Sequence, residues 1–115
     1  MNARGTIKKN SDFRRLYAKG KSAVNPYLVL YCRKNRQGVS RVGYTVSAKL
    51  GHAVVRNRVR RRYREIYRLN LPQLRPGYDL ILVARSRSAD KKAKYAAMER
   101  AFLEACRRLD LLKED

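Results

Sequence analysis

The chain of 115 residues has few of the side chains that build metal or catalytic centres. Its two cysteines, Cys32 and Cys106, form no CxxC pair, and His52 is its only histidine. These residues supply neither a zinc ligand set nor a disulfide framework, so we expect two reduced thiols. No catalytic triad, paired carboxylate site or glycine-rich phosphate loop is recognisable. No apolar run approaches the roughly 20 residues that a membrane span requires.

Acidic side chains are also scarce. The chain has nine Asp and Glu residues and 29 Lys and Arg residues, which gives a net charge of +20. A compact body with this charge repels itself, so we expect an anionic partner, either nucleic acid or a membrane surface. Hydrophobic residues still make up 44% of the chain, enough for the core of one domain over 1–115. No apolar segment follows the basic N-terminus, so we expect no secretory signal and a cytoplasmic location.

Hydrophobic periodicity predicts an α+β fold. The predicted elements are a helix from Ser11 to Gly20, an edge strand at 21–25, strands at 27–33 and 40–47, a helix from about Ala53 to Leu69, a strand at 78–84 and a helix from Asp90 or Lys91 to about Leu111. The segment 34–38 predicts a hairpin loop between the second and third strands. The strand at 78–84 is almost wholly apolar, which is typical of a central buried strand.

The second predicted helix is the most informative segment. On a helical wheel at roughly 100° per residue, Val55, Val59, Tyr63 and Ile66 form an apolar stripe. The opposite side carries six polar side chains, here called the arginine ridge: Arg56, Asn57, Arg60, Arg61, Arg64 and Arg68. We expect Arg58 and Arg62, at the edge of the stripe, to lay their aliphatic stems over it and to extend this charge outwards.

The composition of this helix favours nucleic acid over the other partners. A merely solvated helix would alternate Glu and Lys, whereas Glu65 is the only acid among these arginines. A membrane-surface helix would expose its apolar side, which the core needs here. Guanidinium groups hold phosphate through paired hydrogen bonds and stack on bases. The ridge therefore predicts a nucleic-acid surface.

Aromatic residues favour single-stranded RNA over DNA. The basic helix follows a strand and a loop, which argues against a helix-turn-helix. Phe13 and Tyr17 share one helix face. The alternating strand places four side chains together on one side: Tyr27, Val29, Tyr31 and Arg33. These rings either belong to the core or line a groove where unpaired bases stack. Because Arg33 should remain in water, the groove is favoured for Tyr31.

A set of motifs covers nearly the whole chain. They are the segments 7–13, 42–47, 49–51 and 53–54, the run Arg56-Asn57-Arg58, the arginines Arg60, Arg61 and Arg64, and the strand at 78–85. Together they resemble the signature of the bacterial ribonuclease P protein component. Where that family often has two basic residues, this chain has Ala48 and Lys49, so one basic group is absent.

The resemblance implies a ribonucleoprotein that removes the 5′ leader from precursor tRNA. Catalysis, through magnesium ions, would belong to the RNA subunit, and the protein would bind that RNA and the leader without an obligate protein partner. The motif positions place Arg56, Asn57, Arg58, Arg60, Arg61 and Arg64 on the catalytic RNA, and the ridge adds Arg68. They place Phe13, Tyr17, Val29, Tyr31 and Lys49 on the leader.

The resemblance also implies a fold. It is an αβββαβα sandwich whose central mixed sheet contains a left-handed βαβ crossover, an exception to the usual hand. Two alternatives stay open at this point. One is a structural ribosomal protein, although such proteins usually carry a long basic tail. The other is a self-sufficient nuclease, which the lack of ligand residues disfavours.

Overall fold

The computed structural model describes residues 5–113. The ends of the chain, including the start of the segment examined for a secretory signal, lie outside that range. The described residues form α1 (Asn10–Lys19), β1 (Lys21–Val24), β2 (Leu28–Lys34), β3 (Arg41–Thr45), α2 (Ala53–Asn70), β4 (Tyr78–Ala84), α3 (Ser86–Ala89) and α4 (Tyr95–Arg108). Within this range, no helix is both long enough and apolar enough to span a membrane.

The four strands form one mixed sheet in the order β1–β2–β4–β3. β4 pairs antiparallel with β2 and parallel with β3. The predicted edge strand is confirmed as β1, but the predicted hairpin across 34–38 is wrong, because β2 and β3 are not neighbours. The apolar β4 takes the central position, where both of its edges are paired, and so separates them.

α2 connects the parallel neighbours β3 and β4 by a left-handed crossover. Val42 points its side chain into the core beneath α2, while its carbonyl points away from β4 and accepts a 2.9 Å hydrogen bond from the amide of Ile7. When β3 is viewed from α2 and runs upward, an L-residue whose side chain points towards the viewer has its carbonyl on the right. The carbonyl of Val42 therefore points to the right. β4 therefore lies to the left of β3, which confirms the hand that the resemblance implied.

The sheet separates two hydrophobic clusters of unequal size. The larger one packs one face of the sheet against α2 and α4, and its centre includes the fully buried Tyr63, Ile66 and Phe102. The smaller one lies under α1 and is built on Ile7, Leu16 and Ile81. The ten-residue α1 covers only part of its face of the sheet, so the rest of that face remains accessible.

Several helix ends differ from the predicted ones. α1 begins at Asn10 with Lys9 in the N-cap position, one residue before the predicted start at Ser11. The last helix begins at Tyr95 because the carboxylate of Asp90 accepts the amide of Lys92 at 2.8 Å, a local turn that competes with the helix. It ends at Arg108, and Asp110 beyond it has a left-handed φ of 58°.

A partly buried ionic network holds α1 against the sheet. Arg41 on β3 donates two hydrogen bonds to the carboxylate of Asp79 on β4, at 2.7 and 2.9 Å, and lies 3.5 Å from Asp12 on α1. Asn35 donates a third bond to Asp79 at 2.8 Å. Burial alone would raise the pKa of Asp79, but the hydrogen bonds from Arg41 and Asn35 and the charges of Arg41 and Arg33 outweigh it and lower that pKa.

We expect Asp79→Asn to cost about 2 kcal/mol of unfolding free energy at neutral pH, the typical contribution of hydrogen bonds to a charged group. Because the folded state lowers this pKa, the stabilisation is complete above the unfolded pKa of about 3.9. It is lost as the pH falls through the folded pKa. Urea unfolding as a function of pH measures both effects, and the variant should lose less stability in acid than the parent.

Asp110→Asn is the matched control, since the carboxylate of Asp110 is 86% exposed in its pair with Arg75. Solvent screening makes such a pair worth little. An equal loss of stability in the two variants would contradict a special role for Asp79.

Candidate nucleic-acid interface

α2 presents the arginine ridge to solvent along its length. Val59, Tyr63 and Ile66 are buried as predicted, and Val55 is half-buried. On the opposite side, Asn57, Arg61, Arg64 and Arg68 are exposed, and Arg56 and Arg60 are half-buried. The sequence-predicted ridge is therefore present as one continuous surface.

The ridge arginines differ in how far the protein already occupies their donors. Arg56 donates through Nε to the carbonyl of Gly51 at 3.2 Å, and Arg60 donates to the amide oxygen of Asn57 at 3.4 Å. Arg68 forms a 2.9 Å ion pair with Glu65 on the preceding turn. Arg61 and Arg64, in contrast, have no hydrogen bond or ion pair within residues 5–113. Their guanidinium groups are the ones most available to phosphate.

Arg58 and Arg62 do not extend the ridge outwards as expected. Both are half-buried, and their guanidinium groups donate at 3.1 Å to the backbone carbonyls of Ala89 and Ala93. These bonds tie α2 to the end of α3 and to the segment that follows it. The expectation was wrong because it considered α2 alone, without the carbonyls packed beside it. A contact between Arg58 and the catalytic RNA stays a prediction.

A second surface lies on the part of the α1 face that α1 leaves open. The strand register places four residues in one row across the sheet: Thr45, Val83, Val29 and Val24. Residues paired in register point to the same face of a sheet. Val29 and Val83 are half-buried and Val24 is 47% exposed. This row, called the open lane below, spans about 14 Å at the usual strand spacing.

An aromatic wall stands beside the open lane. The ring of Tyr17 lies 4.9 Å from that of Tyr31 in an edge-to-face arrangement and 6.3 Å from that of Phe13. Its hydroxyl hydrogen-bonds that of Thr45 at 2.8 Å. The structure thus brings together four of the predicted leader residues, Phe13, Tyr17, Val29 and Tyr31.

Close packing at Gly43 fixes the position of this wall. A Cβ atom at Gly43 would lie 2.7 Å from the ring of Phe13, far inside van der Waals contact. Phe13 therefore rests directly on the backbone of β3, which is possible only at a residue without a side chain. This contact sets how closely α1 approaches the sheet.

Two residues named by sequence lie elsewhere. Tyr27 precedes β2 and packs against the larger cluster, with the guanidinium of Arg87 5.8 Å from its ring, so it does not line the groove. Lys49 is exposed in a 3₁₀ turn, Ala48–Leu50, that follows the strand bearing Thr45. Its contact with the leader stays a prediction.

Sequence reasoning missed three members of the open lane: Thr45, Val83 and Val24. Alternation along β3 and β4 indicates that Thr45 and Val83 each face away from the larger cluster. It does not indicate that they lie side by side, because that depends on the pairing of strands distant in sequence. A ridge of guanidinium groups on α2, combined with an open, tyrosine-walled sheet face on the α1 side, is typical of an RNA-binding protein.

Comparison with known proteins gives the family. The chain matches the model of the Ribonuclease P family over residues 1–110. It is 45% identical over 106 residues to the ribonuclease P protein component of Clostridioides difficile (strain 630), with 91% of each chain covered. It is 42% identical over 112 residues to that of Alkaliphilus oremlandii (strain OhILAs), covering 97% of this chain and 96% of the relative.

Solved structures agree with this assignment. The Staphylococcus aureus RNase P protein superposes with a TM-score of 0.85 at 31% identity, covering 95% of this chain and 98% of the other. The Thermotoga maritima protein gives 0.81 at 30% identity, covering 88% and 94%. The chain belongs to the ribonuclease P protein family. It is an RNA-binding subunit of the endoribonuclease that matures the 5′ ends of tRNA. This assignment replaces the alternative of a structural ribosomal protein.

Proposed function

We propose that the chain is a non-catalytic subunit that binds the catalytic RNA on the arginine ridge and the 5′ leader of precursor tRNA in the open lane. One observation carries the proposal: a single short segment of the chain, 46–52, joins the two surfaces. β3 ends at Thr45 in the lane, and α2 with its ridge begins at Ala53. A protein held on the RNA by α2 therefore presents the lane at a fixed position relative to that RNA.

The lane suits a single strand better than a duplex. Its floor is apolar and its wall carries tyrosine and phenylalanine rings, on which unpaired bases stack regardless of sequence. Lys49 and Arg33, both exposed, supply cations near the two ends of the face for the phosphates. A duplex would offer this lane only its phosphate backbone, since its bases are already stacked.

Magnesium chemistry is assigned to the RNA in this proposal. Residues 5–113 contain no group of three or more His, Cys, Asp and Glu side chains able to hold a metal ion. Asp12 and Asp79, which approach the same arginine, are already engaged by it. The donor set of these residues supports assigning the magnesium to the RNA, and we expect the protein to act by binding and positioning RNA in the cytoplasm.

Cleavage of precursor tRNA by the purified catalytic RNA at low magnesium tests the proposal. We expect the chain to stimulate cleavage strongly, because its cations replace part of the charge screening that magnesium otherwise supplies. A leaderless tRNA should compete more weakly than the precursor for the complex. Absence of stimulation would refute the subunit role, and cleavage by the chain without RNA would refute its non-catalytic nature.

A further inference from the structure

A second basic cavity lies at the end of the sheet where β2 finishes. It has a volume of about 320 Å³, and its lining includes three lysines, Lys19, Lys21 and Lys34, together with Arg33, whose position in β2 faces the other side of the sheet. The three lysines form no ion pair within residues 5–113. Such a concentration of unpaired ammonium groups around a concave surface creates a strong attraction for anions.

This cavity is separate from the open lane. In the sheet register Lys21 pairs with Cys32, and Lys34 pairs with Tyr78, so these four residues share one face. Cys32 belongs to the larger hydrophobic cluster, which places the cavity on the α4 side of the sheet. The open lane lies on the opposite side, and the ridge on the outer surface of α2.

The interior of the cavity is less polar than its rim. Cys32, Tyr78 and Leu109 contribute a thiol, a half-buried ring and an aliphatic side chain. Lys21 approaches Cys32 closely enough for its charge to lower the pKa of that thiol, although burial is the larger effect and raises it overall. A positive rim over an apolar interior suits a ligand with an anionic group and a flat, less polar group.

The remaining charges around the cavity do not cancel the rim. Asp110 also lines it, but its carboxylate pairs with Arg75 at 3.4 Å. A neighbouring cavity of about 520 Å³ shares Lys34 and Tyr78 and adds Lys113, so the positive surface continues around the end of the sheet. None of the large exposed hydrophobic residues in the described chain lines either cavity, which disfavours a lipid.

We propose that this cavity is a nucleotide site, in which Lys19, Lys21 and Lys34 hold the phosphate and Tyr78 with Leu109 contacts the base or ribose. Lysine binds phosphate as a compact charge, and a tyrosine face accepts any base. The nucleotide is either free or part of an RNA chain. A nucleotide of RNA bound here would lie on the opposite face of the sheet from the leader, so the chain would contact a further RNA segment.

Amide chemical shifts of the ¹⁵N-labelled full chain test the site with three probes: AMP, inorganic phosphate and a single-stranded RNA hexanucleotide. We expect saturable shifts of the amides at 21, 32–34 and 78. The double variant Lys21→Ala/Lys34→Ala should raise the Kd at these amides by about tenfold, since it removes two exposed point charges that solvent screens and that bind phosphate less strongly than a guanidinium fork. The matched control Lys91→Ala/Lys92→Ala loses the same charge from an exposed turn and should bind as the parent does.

The three probes distinguish a free nucleotide from a nucleotide of an RNA chain, and other results would contradict the site. Shifts of the cavity amides with AMP indicate a free nucleotide, and shifts with the hexanucleotide alone indicate RNA; either supports the site. Shifts confined to the ridge and the open lane would overturn it, as would an equal loss of affinity in both double variants. Phosphate binding as tightly as AMP would overturn the nucleotide assignment. The spectra of the variants also show that they remain folded.

Discussion

Replacing Arg61 and Arg64 together with alanine should weaken binding of the catalytic RNA by about 100-fold, the effect of two charged hydrogen-bonding groups at roughly 1.4 kcal/mol each. Their guanidinium groups are exposed and have no hydrogen bond or ion pair within the described chain. Each should release about one counterion on binding, so the slope of log affinity against log salt should fall by about two. Titration of the RNA at several salt concentrations measures both quantities.

The control removes the same charge from another helix. Arg100 and Arg107 are exposed on α4, and their joint replacement with alanine should leave the salt slope close to that of the parent. An equal decrease of the slope in both double variants would mean that net charge alone drives binding. A smaller effect is expected for Arg68→Ala, because the ion pair with Glu65 already uses part of that guanidinium.

The ridge could be predicted because it depends on local geometry alone. A helix repeats every 3.6 residues, so the sequence places Arg60 and Arg64 on one side and Val59 and Tyr63 on the other without any tertiary information. Burial of Val59 and Tyr63 then orients the whole helix. The hydrogen bonds of Arg58 and Arg62 could not be predicted in this way, because the carbonyls that accept them belong to residues about 30 positions further along the chain.

The open lane illustrates the opposite case. Its members Thr45, Val83, Val29 and Val24 come from four strands, and only the order β1–β2–β4–β3 aligns them. The sequence contains the alternation of each strand but not the insertion of β4 between β2 and β3. A hairpin between those two strands is the simpler local solution. The fold does not contain this hairpin between β2 and β3, because the apolar β4 needs a paired neighbour on each side.

The second large effect is expected at the aromatic wall, on the affinity for precursor tRNA. Tyr17→Ala should reduce affinity for precursor tRNA by about 1–3 kcal/mol, the contribution of one stacked base. Tyr17 is the better probe than Tyr31 because it is 40% exposed, whereas Tyr31 also packs against the small cluster under α1. Removing Tyr31 would therefore mix loss of stability with loss of binding. Affinity of the holoenzyme for precursor and for leaderless tRNA is the measurement.

Tyr17→Phe separates stacking from hydrogen bonding. It keeps the ring beside Tyr31 and removes only the 2.8 Å bond to Thr45, an exposed bond worth little when water can replace it. We therefore expect the phenylalanine variant to bind precursor almost as the parent does, and the alanine variant to lose affinity for precursor only. If leaderless tRNA lost affinity to the same extent, Tyr17 would act through the fold and not through the leader. If the phenylalanine variant failed as the alanine variant does, the hydroxyl and not the ring would recognise the RNA.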